Sequence, residues 1–465
     1  MREDERMVRE LDEAPVLCGE RRQPVHRRRV SPRRALERGL AAAAFLVLPG
    51  FKTHTAPTPR VGANAASSQP FASAAHREPV VVVGTGHPDL DVPAVQAAVD
   101  QGGDVILKGR FSFDGPPTID VPFTIPRAMV LVWKAVTISG AVDENGVMTT
   151  IEAGSIPFYV HAPGQRVTIR GLRLLHPLTS GIRVSAVAGL EIDSCRIEGV
   201  NADGAFAEAI GIMTSNGPPN PTTNPGTPEN VSGLLLITNN DLDVPTTTNR
   251  ETTLGVVFFS VGVAGAEVEA HVSGNRITNT SEPAINLRRV VGRTYIEGNV
   301  LTTNFAPEPG QKNVIRVATL GSYLIAGNTI QCNWAQCVGI SAFSPVAEWP
   351  MSDAIIEDND INLSPPPNTV FGNFSAGIGV YGFAREIMVR RNIIKGTARA
   401  ALSIPTPFPA TGTPGVPMDI AFMNNSVAGF TGSLADIFVG DGALRTLIVG
   451  PGMVVDRGTG TIINP

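Results

Sequence analysis

Aromatic side chains are scarce in this 465-residue chain, with three Trp, four Tyr and 19 Phe, or 6% in all. An ordinary layered core takes much of its apolar area from such rings, so their scarcity points to a core of aliphatic side chains. Charge is also low, at 17% Asp, Glu, Lys and Arg against 43% apolar residues. That balance excludes a disordered chain and a nucleic-acid-coating one. Cysteine numbers only four, too few for a disulfide-dense scaffold. Long uninterrupted apolar runs are missing, which excludes a membrane-spanning mature form. What is plentiful is Gly (48) and Pro (38). With so few helix-favouring charged residues, this reads as many short strands joined by many turns.

The first 75 residues stand apart in composition. Residues 1–38 hold eleven Arg and no Lys, ending in Arg27-Arg28-Arg29-Val30-Ser31-Pro32-Arg33-Arg34, and a short apolar run follows from Gly39 to Pro49. A basic stretch, a 7–15-residue apolar run and small residues at a cleavage point define an export signal. Ala63-Asn64-Ala65 and Ala72-Ser73-Ala74 both fit the cleavage pattern. Paired Arg33-Arg34 resembles a twin-arginine signal; the alternative is a retained arm. The organisation expected is therefore an export signal and linker over 1–75, an N-terminal cap over 76–125 and one repetitive domain over 126–465. Removing residues 1–65 takes away 13 basic and 8 acidic residues, which leaves 24 against 34 and a net charge of −10. A secreted or surface-exposed acidic protein is a poor partner for nucleic acid or an anionic membrane.

A repeat carries the fold. The pattern apolar, two residues, Asn, one residue, apolar recurs as Ile237…Asn240…Leu242, Val272…Asn275…Ile277, Ile296…Asn299…Leu301 and Ile325…Asn328…Ile330. It continues through Asn359, Asn392 and Asn425, while two earlier copies carry Leu172 and Cys195 at the Asn position. Copies recur mostly every 23 to 35 residues, the signature of a solenoid. An apolar-x-apolar strand precedes most copies, as in Ile182-Arg183-Val184, Ile285-Asn286-Leu287 and Ile315-Arg316-Val317, and Ile437-Phe438-Val439 is expected to close the series. Alternation sends successive side chains to opposite faces. Two such strands and a third per repeat stack as a parallel coil. Inward Asn side chains at the bend can bond up and down the stack, and Asn tolerates the left-handed backbone of a sharp bend. These Asn read as structural.

These coils resemble the pectate-lyase-like, right-handed parallel β-helix superfamily over roughly residues 80–463. The opening matches too: an amphipathic helix from Asp91 to Asp100, with Asp91 as N-cap and Pro93 in the first turn, then the strand after Gly102-Gly103. The resemblance implies an all-β, right-handed parallel β-helix of about 10–12 coils with a short N-terminal capping helix. It implies no single chemistry, because that fold hosts lyases, hydrolases, epimerases, adhesins and inert stalks. The polygalacturonase set Asn-Thr-Asp, Asp-Asp and Gly-His-Gly is absent, as are Arg-x-Pro-x-x-Arg and Asp-Pro-His-Asp.

Uneven spacing points to a candidate site. The step from the apolar-x-apolar strand to the Asn-motif strand is 10 residues from Ile182 to Ile192, but 27 from Ile210 to Ile237, 18 from Val338 to Ile356 and 20 from Leu402 to Phe422. Insertions in a solenoid gather on one face, often the binding face. Segments 214–231, 342–353 and 405–417 are therefore expected to wall a groove. Arg183, Asn286, Arg288, Arg316 and Tyr381 fall on the outward face there, with Glu348 and Trp349 in one long segment. Arg288 and Arg316 are placed to hold the carboxylate of an acidic sugar, with Trp349 stacking and Glu348 or Glu208 moving a proton. Asp203 and Glu208 form a second carboxylate pair. The expected partner is thus polysaccharide, an acidic one. The chain is either a diverged lyase or related carbohydrate-active enzyme, or a non-catalytic surface or envelope β-helix with a structural or adhesive role.

Little points to cofactors. None of the five His after the export signal sits with Asp, Glu or Cys at ligand spacing, so no metal is read. A bridging Ca²⁺ is possible, since its carboxylate ligands can come from different coils, but no motif supports it. Cys332 and Cys337 either close a small loop in an oxidising compartment or remain one buried and one surface thiol.

Overall fold

A computed structural model describes residues 78–114, 128–153, 156–200, 208–216, 230–245, 252–303, 312–318, 321–334, 336–344, 351–372, 374–405 and 415–465. The expected export signal and the boundary near residue 125 lie outside them.

Three strands make a coil. In one, Ile285–Val290 leads into Gly292–Glu297, the chain bends at Asn299, and Val300–Thr303 follows before Lys312–Ala318 opens the next. Equivalent strands stack in parallel, coil on coil, so Ile285 lies opposite Ile315, Ile315 opposite Ile340 and Ile340 opposite Ile378. The first and second rows belong to one 24-stranded sheet, because Ile156–Arg170 and Ser180–Asp193 run unbroken round the corner between them. The third row is a separate 11-stranded sheet. The interior is filled by columns of Ile, Val and Leu at or near zero exposure. Near the N-terminal end Phe111, Phe113 and Phe158 pack edge to face, with centroids 6.4 and 6.1 Å apart.

Helix α1 (Pro88–Val99) covers the open N-terminal end of this core, burying Val92, Val95, Ala98 and Val99. It begins a turn earlier than expected. Pro88 supplies the preset φ of a first helical residue, and His87 is the N-cap without a side-chain cap bond. Asp91 is not the cap but a buried anchor. Its carboxylate accepts from Thr85 N (2.7 Å), Thr85 Oγ1 (2.9 Å), Gly86 N (3.0 Å) and Ser112 N (2.8 Å), which ties the helix to the first strands.

The Asn residues form a continuous ladder. Each Nδ2 donates to the Oδ1 of the next, from Asn240 through Asn275, Asn299, Asn328, Asn359 and Asn392 to Asn425, at 2.8–3.0 Å. The same Oδ1 also accepts the backbone N–H of the Asn before it, as Asn299 N to Asn328 Oδ1 at 3.0 Å. The left-handed backbone belongs to the residue before the Asn, not to the Asn itself. Gly274, Gly298 and Gly327 hold φ of 62–65° there, and Asn239, Asp358, Arg391 and Asn424 hold 52–56°. The ladder Asn keeps an ordinary backbone because its amide must point inward, whereas the corner residue makes the sharp turn.

Outside the core, opposite charges pair between coils. Arg170 lies opposite Asp193, Arg390 Nε donates to Glu357 at 2.6 Å, and Arg276 to Asp241 at 3.0 Å. Cys332 and Cys337 are joined by a disulfide that closes the turn from a third-row strand into the next first-row strand. Ile437–Val439 does not close the series. Leu447–Val449, Val454–Asp456 and Ile462–Asn464 extend two rows further. Ile463 stands opposite the buried Ile448 yet is 44% exposed, so the core is thinly covered at this end.

Candidate functional site

The first row presents its outward residues in columns. Register places Arg183, Met213, Val257, Asn286, Arg316, Ser341 and Gly379 in one column, strand by strand. Two residues along, Phe259, Arg288, Ala318, Phe343 and Tyr381 form the next. Asn286 and Arg316 are therefore direct neighbours on adjacent strands, about 4.8 Å apart along the coil axis, with Arg288 diagonal to Arg316. Both Arg keep part of their surface, while Asn286 is 3% exposed. Its Oδ1 is buried without a hydrogen-bond partner among the described residues.

Rings border this cluster. Arg316 Cζ lies 5.8 Å from the centroid of the Phe343 ring, within cation–π range. Phe343 meets Tyr381 edge on, with centroids 6.3 Å apart at 79°. Tyr381 also packs on Phe374 at 5.7 Å, and its hydroxyl donates to the Phe374 carbonyl at 3.2 Å. The Tyr381 ring folds back over Gly379, where a Cβ would stand 2.1 Å from the Tyr381 hydroxyl. This explains why a glycine sits in that column. Tyr381 faces outward by alternation, as expected, but is 3% exposed and supports the face rather than offering a ring to solvent.

The other expected residues separate. Arg183 is three strands away from Asn286, across Met213 and Val257. Those two pack with Ile210, Leu254 and Phe259 in an apolar patch between them. Glu208 opens the strand Glu208–Ser215, its backbone opposite Thr252. Asp203, Glu348 and Trp349 lie outside the described residues, as do most residues of the three long insertions.

Several polar features were not anticipated. At the corner into the first row, Lys312 Nζ pairs with Glu282, both largely buried. Beside them Ser281 and Thr253 exchange hydrogen bonds at 2.6 and 3.0 Å. On the third row a polar cleft of about 290 Å³ is lined by Arg196, Glu198, Asp241, Asp243, Arg276 and Asn279 among others. Its signal in the sequence was the charge two residues apart in successive repeats, Arg196-x-Glu198 and Asp241-x-Asp243. Its carboxylates already hold donors: Glu198 accepts from Arg173 at 2.7 Å, Asp243 from Asn279 at 2.7 Å and Asp241 from Arg276 at 3.0 Å. The Arg391 hydrogen bond holds Asp358 below its usual range, and burial pushes the Cys195 thiol up to about 12. Among the described residues no group of three or more His, Cys, Asp or Glu is placed to hold a metal ion. None of their helices is long and apolar enough to cross a membrane.

Three parallel rows in coil-on-coil register decide the architecture. This chain is a right-handed parallel β-helix. No family model and no curated protein matches it. Solved structures of the same architecture do. A PL6 alginate lyase in complex with a trisaccharide is 12% identical with a TM-score of 0.43, over 82% of this chain and 86% of that one. The alginate lyase AlyF-OU02 with G6 is 11% identical with a TM-score of 0.46, over 82% and 86%. PfbA, a surface adhesin of Streptococcus pneumoniae, is 12% identical with a TM-score of 0.39, over 77% and 91%.

Proposed function

We propose that this β-helix is an exported protein that binds an acidic polysaccharide along the outward face of its first row. One observation carries the reading: Arg288 and Arg316 stand diagonally on adjacent strands of the outward face, and Arg316 lies over the Phe343 ring. Two guanidinium groups suit a uronate carboxylate, and Phe343 borders the sugar ring. Export agrees with the Cys332–Cys337 disulfide, a bond that persists in oxidising compartments. In the lyase version of this reading, Glu348 or Glu208 moves the proton and Trp349 stacks.

A non-catalytic, adhesive role has support of its own. Asn286, Ser341 and Tyr381 are each 3% exposed, so the accessible part of the face is a narrow rim of Arg288, Arg316 and Phe343. Titrating the protein with polygalacturonate and alginate tests binding. Arg316→Ala and Arg288→Ala should each weaken it roughly 10-fold or more, the loss of a charged hydrogen bond. Equal affinity of wild type and the double variant would remove this face from consideration. Appearance of unsaturated products in the same mixtures, with and without Ca²⁺, separates the lyase from the adhesin.

A further inference from the structure

The same outward face carries a nucleophile and a base at its N-terminal end, well away from Arg288 and Arg316. His161 Nδ1 and Ser185 Oγ are 2.7 Å apart. They lie on neighbouring first-row strands, Ile156–Arg170 and Ser180–Asp193, beside Arg183, which is paired with Tyr159. Among the described residues, Ser185 Oγ otherwise reaches only the Val160 carbonyl, at 3.5 Å, the outer limit of a hydrogen bond. His161 is the main partner.

The backbone sets the geometry of this contact. These two strands pair Val160 with Val184 but His161 with Ala186, so Ser185 is an extra residue in the ladder. Coils further along stack without such a slip, for example over the five consecutive pairs Arg293 to Glu297 with Ser322 to Ala326. A bulge bends its strand and re-aims a side chain, and bulges are over-represented next to active sites. Without it, Ser185 would stand level with His161 as an ordinary cross-strand pair. The Tyr159 ring lies nearly parallel to His161, 9° off with centroids 6.4 Å apart, and steadies the imidazole.

From this geometry we infer that Ser185 and His161 form a hydrolytic dyad for small O-acyl esters. In the tautomer protonated at Nε2, His161 Nδ1 accepts the hydroxyl proton. Ser185 Oγ then bonds to the acyl carbon, and its proton passes to His161 Nδ1. As the ester C–O bond breaks, the leaving alkoxide takes that proton and departs as the alcohol. Water attacks the acyl carbon next, giving a proton to His161. The Ser185 C–O bond breaks, Oγ recovers the proton, and the carboxylic acid leaves. Ser185 is 4% exposed, which limits the acyl group to one as small as acetyl. Arg183 beside the pair suits an alcohol half carrying an anionic group, such as an O-acetylated uronate. That last assignment rests on the proposed polysaccharide binding; the dyad does not.

Two probes that involve no polysaccharide test it on the full-length protein. Methanesulfonyl fluoride, a serine-directed reagent of acetyl size, should form one adduct, located by peptide mass spectrometry at Ser185. It should be lost in Ser185→Ala and reduced at least 10-fold in His161→Gln. Hydrolysis of p-nitrophenyl acetate should fall about 100-fold or more in both variants, the usual contribution of a positioned base and its nucleophile. Circular dichroism melts establish that each variant is folded, and Thr168→Ala, a substitution on the same strand, should keep full activity. An adduct elsewhere, no adduct, or ester hydrolysis unchanged in Ser185→Ala would each overturn the dyad. Failure of polygalacturonate or alginate binding with Ser185 labelling intact would overturn only the proposed function.

Discussion

Removing one amide from the middle of the Asn ladder should cost far more than its size suggests. In Asn328→Ala the Oδ1 that accepts from Asn299 N at 3.0 Å and Asn299 Nδ2 at 2.9 Å disappears. The Ile296 carbonyl loses the donor Asn328 Nδ2 at 2.9 Å. Asn299 keeps its bond to the Val272 carbonyl at 2.8 Å, so two donor hydrogens are orphaned in a site with no exposure. An unsatisfied buried group costs about 1–3 kcal/mol, which gives about 4 kcal/mol for the pair. Asn362→Ala is the control. Asn362 faces outward from the next coil and donates only to Gln331 Oε1, at 2.7 Å. A surface change of that kind costs about 0.5 kcal/mol. Urea unfolding followed by far-ultraviolet circular dichroism compares the two, and hydrogen exchange at the Asn299 amide reports the local effect. Equal midpoints for Asn328→Ala and Asn362→Ala, with Asn299 exchange unchanged, would refute the reasoning.

Other consequences can be measured in the same way. Replacing Cys332 and Cys337 together by Ser should lower stability by about 2 kcal/mol, the loop entropy of a six-residue closure. Both sulfurs are buried, so reductant alone should leave the native protein oxidised until denaturant is added, as thiol labelling would reveal. Asp358→Asn probes an ion pair with pH. The Arg391 hydrogen bond depresses the Asp358 pKa in the folded state, so its contribution is present above the unfolded carboxylate pKa of about 3.9. That contribution is lost as pH falls through the folded pKa. The gap between wild type and Asp358→Asn should be under about 1 kcal/mol for so exposed a pair and should close below pH ~4; a gap that widens in acid would contradict it. Gly379→Ala should displace the Tyr381 ring and cost about 1–3 kcal/mol by overpacking, visible as a lower melting temperature and a changed near-ultraviolet spectrum.

The architecture was legible because its cause is periodic. One apolar column per strand and one Asn per bend recur often enough to be seen without any structure, and the ladder from Asn240 to Asn425 runs as the spacing implied. The corner residue was less legible. Gly, Asn, Asp and Arg all occupy it, so its requirement for positive φ leaves no single-letter trace. Asp91 was misread for a related reason. An acidic residue ahead of an apolar stretch resembles a cap, and only the distant partner Ser112 reveals an anchor. Alternation put Asn286, Arg288 and Arg316 on the outward face. It could not show that Phe374 and Phe343 would cover Tyr381, because those contacts cross coils. The Ser185 bulge left only a faint trace, a step of three between the inward Val184 and Val187 where alternation calls for two.

The Asn ladder also has a direction. Each Nδ2 from Asn240 to Asn392 donates to the Asn of the next coil toward the C-terminal end, and each Oδ1 from Asn275 to Asn425 faces back, so seven amides form a polarised chain whose bonds reinforce one another. Such a chain has an arrow, and all its members must respect it. A whole coil can be inserted or deleted at any step, because each junction offers the same donor on one side and the same acceptor on the other. A single reversed amide cannot be absorbed, since it would set donor against donor and oxygen against oxygen. The natural unit of change in this protein is therefore the complete coil, and its length can grow or shrink in whole turns while its outward columns diverge residue by residue.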